Sequence, residues 1–250
     1  MNRSKHCLNC GTELMGPFCH QCGQKGSTHR INIKHFFQHD LLHGVFHLDK
    51  GILYTLKCLL FEPGNTIRNF LSGKRVMHYN IFALFVIVVA LKTLVDYQID
   101  NEHVFHSYGQ TATDEKVNSA IDHYYKFFYL LAIPLLSAFS YALSRRLRYN
   151  YAEHIVFNAF LLTGGFFYAL LVSLFCYLTG IQNPEITGLI LTIVYLVKGY
   201  YEVTRGVYTF IGFLWRIVSI LLLFLLSLAI ALLLVILIAY GGSFEGQISI

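Results

Sequence analysis

The chain has 250 residues, a mean hydropathy of +0.52, 55% hydrophobic and 13% charged residues, which excludes an ordinary soluble globular domain and assigns most of it to lipid. Its formal net charge of +5 treats all six Cys as neutral thiols, whereas a metal-bound four-thiolate site is locally anionic. A basic excess of this size fits the Lys/Arg bias of cytosolic membrane loops and makes a nucleic-acid partner unnecessary.

Residues 1–30 contain Cys7-Leu8-Asn9-Cys10-Gly11 and Cys19-His20-Gln21-Cys22-Gly23. Two C-x-x-C-G units predict a zinc ribbon in which Cys7, Cys10, Cys19 and Cys22 hold one structural Zn²⁺. Each pair turns back on itself so that two thiolates reach one face of the ion, and the following Gly allows φ > 0 where the turn closes. So few residues cannot build a core unaided, and zinc supplies folding free energy on the order of 10 kcal/mol. A closed tetrathiolate offers no open position for substrate, so this metal holds shape and does not catalyse. The redox-dithiol alternative requires a helix start in a β-α-β unit, and no such unit is visible. His20 reads as an exposed filler beside four sulfur ligands. Cys58 and Cys176 stand alone in apolar surroundings, so no disulfide framework is expected, and reduced thiols place the N-terminus in the cytosol. Without an apolar h-region in the first thirty residues, no cleavable signal peptide is expected.

Over residues 31–79, Ile33, Phe36, Phe37, Leu41 and then Ile52, Leu53, Leu56, Leu59, Leu60 recur at helical spacing among polar residues. No uncharged apolar run here approaches the roughly 20 residues a bilayer core requires, so the segment reads as amphipathic helices lying in the interface. Pro63-Gly64 breaks the second of them. His35, His39, His43 and His47 recur every four residues, a stripe that suits either a secondary metal site or pH-dependent headgroup contact. The plainer reading sets these imidazoles along the polar border of an interfacial helix.

Five spans follow, at approximately 80–98, 125–144, 154–178, 186–204 and 217–240, with a short tail over 241–250. The fold class is therefore an all-α polytopic membrane protein of about five transmembrane helices, with a small N-terminal zinc ribbon and an amphipathic interfacial segment. Ten of the nineteen Lys and Arg precede the first span, and Arg145, Arg146 and Arg148 crowd the loop between the second and third. Both regions are expected in the cytosol, which leaves the C-terminal tail outside.

Ionisable groups inside a bilayer are costly and often functional. Lys92 with Asp96, and Lys198 with Glu202, are i, i+4 pairs near span ends that can snorkel to water. Glu153 and His154 form a candidate functional pair on the cytosolic face. Asn158, Thr163 and Gly164-Gly165 read as close helix packing, and Pro134 as a kink. No nucleophile elbow, Walker loop, H-E-x-x-H or dinucleotide fingerprint occurs, which leaves enzymatic activity unsupported. Gly73-Lys74-Arg75 lacks the upstream glycine of a phosphate loop and reads as a cytosolic anchor.

The chain resembles a widespread bacterial family of uncharacterised membrane proteins with an N-terminal four-cysteine zinc ribbon. The resemblance is carried by Cys7 to Gly23 with Gln24, His47-Leu48-Asp49-Lys50-Gly51, Thr55-Leu56, Pro63-Gly64, Ile67-Arg68, Gly73-Lys74-Arg75 and Asn150-Tyr151-Ala152-Glu153-His154. Where that family commonly has a Pro before the first span, this chain has Asn80. The resemblance implies a bacterial inner-membrane protein and brings no activity with it. The combined expectation is an interaction, scaffold or regulatory protein whose partners are the bilayer and a protein bound through the ribbon, with homo-oligomerisation left open. Two alternatives stand beside it. A small-solute or lipid transporter gated by the ribbon needs polar groups such as Asn158, Thr163 and Lys198 converging on a cavity. A membrane metalloenzyme needs Glu153 and His154 to meet a stripe imidazole such as His47 at metal-ligand distance.

Overall fold

The computed structural model describes residues 5–28, 30–31, 51–103, 131–180 and 184–245. The stripe His35, His39, His43 and His47, the start of the span predicted at 125–144 and the last residues of the tail lie outside them. The described chain contains seven α-helices and no strand: α1 Gly51–Phe61, α2 Pro63–Leu71, α3 Ile81–His103, α4 Leu131–Leu143, α5 Tyr151–Thr179, α6 Pro184–Thr204 and α7 Phe210–Glu245. Four stretches are long and apolar enough to cross a membrane, Ile81–Ile99, Tyr151–Thr179, Ile186–Thr204 and Phe210–Ala231.

Local sequence sets most helix boundaries. Asn80 caps α3: its side-chain oxygen accepts from the amides of Phe82 at 3.0 Å and Ala83 at 3.2 Å. Asn150 and Glu153 form a reciprocal capping box on α5, so that helix begins at Tyr151, ahead of the 154 expected from hydropathy. Gly180, with φ +69°, closes its far end. Helix α7 also starts earlier than the predicted 217, because Arg216 lies inside it with its charge held. Its Nε donates to Leu143 O at 2.9 Å, and its guanidinium lies 3.9 Å from the Tyr208 ring centroid.

Helix α5 is the central element. The protein itself covers 61% of its apolar stretch, against 17% for that of α7, whose remaining surface is free to face lipid. Phe157 and Phe160 are fully buried in its first three turns. Its neighbours α3 and α6 pack along it through small residues and aromatic edges. Phe85 meets Phe166 edge-on at 5.8 Å, and a Cβ on Gly165 would come within 2.9 Å of Thr192 Cγ2. A Cβ on Gly164 would collide with the Tyr195 hydroxyl, so the glycine pair is a packing device that lets α6 approach.

Of the amphipathic segment predicted over 31–79, the part with Ile33, Phe36, Phe37 and Leu41 lies outside the described residues, and 51–71 is a helical hairpin, α1 then α2, whose apolar face packs on α5 and α6 with Leu59 and Ile67 fully buried. The last carbonyls of α1 need donors from outside the helix. Two tyrosines supply them: Tyr195 Oη donates to Leu59 O at 3.0 Å and Tyr168 Oη to Leu60 O at 2.8 Å. Pro63 then opens α2 at a position where its missing N–H costs nothing.

Candidate metal centre

The two knuckles fold alike because their sequences are alike. In the first, the Cys7 amide donates to Thr12 O at 2.8 Å and the Gly11 amide returns to Cys7 O at 2.9 Å. In the second, Cys19 donates to Gln24 O and Gly23 to Cys19 O, both at 2.8 Å. Gly11 and Gly23 take φ of +79° and +75°, the left-handed conformation that each turn requires. Isolated bridges between His6 and Glu13 and between Phe18 and Lys25 close each knuckle.

This geometry gathers the four sulfurs of Cys7, Cys10, Cys19 and Cys22 within 4.8 Å of one another, a group that can hold a metal ion. Cys7 and Cys22 sulfurs are 3.6 Å apart and Cys10 and Cys19 sulfurs 3.5 Å apart, too far for disulfides and close to the roughly 3.8 Å edge of a tetrahedron with metal–sulfur bonds of about 2.3 Å. The Thr12 hydroxyl and amide hold the Cys10 thiol down at about 6. At Cys22 the Gln24 amide favours the thiolate, but desolvation and the three neighbouring sulfurs outweigh it and push the thiol up to about 11. Four thiolates packed this closely repel one another unless a cation sits between them.

The ribbon is docked on the helices. Gln24, only 4% exposed, donates from its amide nitrogen to Gly73 O at 2.9 Å and accepts the Arg75 amide on its oxygen at 3.2 Å. Leu8 covers Gly73, where an added Cβ would lie 2.7 Å from Leu8 Cδ1 and where φ is +107°. The Gly73-Lys74-Arg75 turn is thus the seat of the ribbon, a role that nothing in the local sequence marks. A second clasp follows: Arg30 pairs with Glu153 at 2.7 Å and also donates to Arg148 O, while the Asn150 side chain donates to Ile31 O at 2.8 Å. Glu153 is the same carboxylate that caps α5, so one buried acid joins the ribbon's trailing residues to the first turn of the central helix.

Glu153 and His154 therefore face different surroundings. His154, fully buried, has Nδ1 2.9 Å from the Ser140 hydroxyl of α4, and Asn158 donates to Ser140 Oγ at 2.9 Å and His154 O at 2.8 Å. Ser137, Ser140, His154 and Asn158 make a polar seam that joins α4 to α5. Thr163 donates to its own helix at Ala159 O, and the Lys198 side chain is 51% exposed. Asn158, Thr163 and Lys198 thus have separate surroundings. A separate cavity of about 370 Å³ is lined by Tyr168, Leu171, Val172, Phe175, Cys176 and Thr187.

The i, i+4 ion pairs are only part of what their carboxylates do. Asp96 pairs with Lys92 and also accepts from Ser173 of α5 at 2.8 Å. Glu202 stands 3.9 Å from Lys198 but takes the Gly64 amide at 2.9 Å, placing a carboxylate on the N-terminus of α2. Gly64 has no room for a side chain against Glu202, and Arg68 donates to Glu202 O at 2.8 Å, which locks hairpin to span.

Fold and site together define the class: an all-helical, multi-spanning membrane protein with a four-cysteine metal-binding group docked at one end of its bundle. Residues 49–92 match a family described as a protein of unknown function (DUF3667), a stretch that runs from the hairpin through the ribbon's seat into α3. No curated protein and no solved structure matches the chain.

Proposed function

We propose that the protein is an interaction or regulatory scaffold of a bacterial inner membrane, whose ribbon binds one structural Zn²⁺ on the cytosolic side and presents a protein-binding surface there. The observation that carries this reading is the docked ribbon. Its Leu8, Gln24 and Arg30 contacts are spent on the bundle, while Met15 and Phe18 stay 86% and 59% exposed. Large apolar side chains held out on a metal-stapled loop suit a protein partner. Four soft thiolates at tetrahedral spacing favour zinc over harder cations. The cytosolic assignment follows from the thiols, which need a reducing compartment, and from the Arg-rich loop 145–148 at the ribbon's end of the bundle.

Crosslinking and pull-down from native membranes test the reading. The native chain captures a defined protein that Cys19→Ser and Met15→Ser/Phe18→Ser variants lose. Unchanged capture by both variants contradicts it.

A further inference from the structure

We propose that Arg145, Arg146 and Arg205 form a binding site for the phosphate of an anionic phospholipid headgroup at the ribbon end of the bundle. Two loops far apart in sequence build it. The 3₁₀ turn Arg145–Leu147 follows α4, and Arg205 lies in the connection between α6 and α7. They are tied together at three points. The Arg146 amide donates to Tyr208 Oη at 3.1 Å, Arg216 spans from the Tyr208 ring to Leu143 O, and the Ser144 and Tyr200 hydroxyls pair beneath. The side chains of Arg145, Arg146 and Arg205 are exposed, and among the described residues none makes an ion pair. The nearest carboxylates along the chain, Glu153 and Glu202, are committed to Arg30 and to the Gly64 amide. Three unneutralised guanidiniums on braced loops match the chemistry of a phosphate oxyanion.

The surroundings choose the source of that phosphate. Immediately beyond the arginines stand Tyr141, Phe210, Ile211 and Trp215, exposed by 38%, 66%, 79% and 59%. Arg145 lies 5.8 Å from the Tyr141 ring centroid, so the cationic group borders the aromatic one. A free phosphate uses only the guanidiniums, whereas a phospholipid also covers the apolar side chains with its acyl chains. The site thus goes beyond the ribbon's function, resting on the membrane reading and not on the metal.

Trp215 is the only tryptophan and stands at the site, so its fluorescence reports directly. The full chain is placed in nanodiscs containing phosphatidylcholine and phosphatidylglycerol, with either one dibrominated near the carbonyl end of its acyl chains. Each arginine near an anionic surface contributes roughly a fivefold preference. Brominated phosphatidylglycerol should therefore quench Trp215 with an apparent affinity at least about tenfold above brominated phosphatidylcholine, a preference that fades as salt rises. The Arg145→Gln/Arg146→Gln/Arg205→Gln variant should quench equally with both lipids, and the corresponding triple Lys variant should recover most of the preference. Inorganic phosphate at matched ionic strength should leave the preference intact. Equal quenching of the native chain by both headgroups overturns the proposal, as does a preference indifferent to salt or competed away by inorganic phosphate. Quenching by neither lipid overturns the membrane reading with it.

Discussion

Gln24 bonds both ways to a turn forty-nine positions along the chain, through a side chain almost wholly withdrawn from solvent. Removing it leaves the Gly73 carbonyl and Arg75 amide without their partner, at a cost of about 1–3 kcal/mol. A Gln24→Ala variant should therefore hold its ribbon loosely, and trypsin should cut near Lys25 and Arg30 roughly fivefold faster or more than in the native chain. An unchanged cleavage rate would mean that the ribbon is held by other contacts. His78 supplies a pH dependence at the same scale. It sits among Tyr54, Phe70 and Phe160, with ring centroids 5.3, 5.8 and 6.1 Å away, and burial lowers its pKa below the ordinary value of about 6.5. The unfolded chain takes up this proton as pH falls through about 6.5 while the folded chain resists it, so the contribution is present above that pH and lost below it. Unfolding temperature in detergent should fall on acidification from about pH 7 to about pH 5.5, and less steeply in His78→Phe. Equal slopes would remove His78 from the account. The cysteine spacing announced the metal site because four ligands lie within sixteen residues, Cys7 to Cys22. Gln24 carried no such mark, since a lone glutamine after a knuckle says nothing about a carbonyl so distant.

Helices were legible to the extent that their causes were local. Apolar runs located four spans, and the Gly164-Gly165 pair read correctly as a site of close approach. The start of α7 was not legible, because an arginine ends a hydropathy window even when a distant carbonyl and a tyrosine ring hold it. Nor was the seat of the α1–α2 hairpin, which depends on Tyr168 and Tyr195. The available signal was two hydroxyls within apolar spans, each needing a partner. The glycine pair gives the prediction at this scale. In Gly164→Ala the new methyl displaces the Tyr195 hydroxyl from Leu59 O and strains the α5–α6 contact, costing about 1–3 kcal/mol in denaturant unfolding. Gly16→Ala, with open space around the position, is the control and should be neutral. Equal stability of the two variants would contradict the packing described for α5 and α6.

The whole molecule is organised around one acid and one turn. Glu153 joins the ribbon's trailing residues to the capped start of the central helix, and Gly73 joins the ribbon's second knuckle to the hairpin. A ribbon of this size has no core beyond its sulfur cluster, so on the proposed reading its docked shape depends on a metal held by the four cysteines. Stripping the metal with a chelator should release both clasps together, opening the linker around Arg30 to protease while leaving the helix content unchanged. Concerted loss of the helices would place the metal's influence deeper than the ribbon. Metal content per chain tests the central claim most directly, measured by elemental analysis on the purified native protein and on Cys19→Ser. The account predicts one zinc per native chain and its loss in the variant; a native chain without zinc, or a variant that keeps it, would contradict the account.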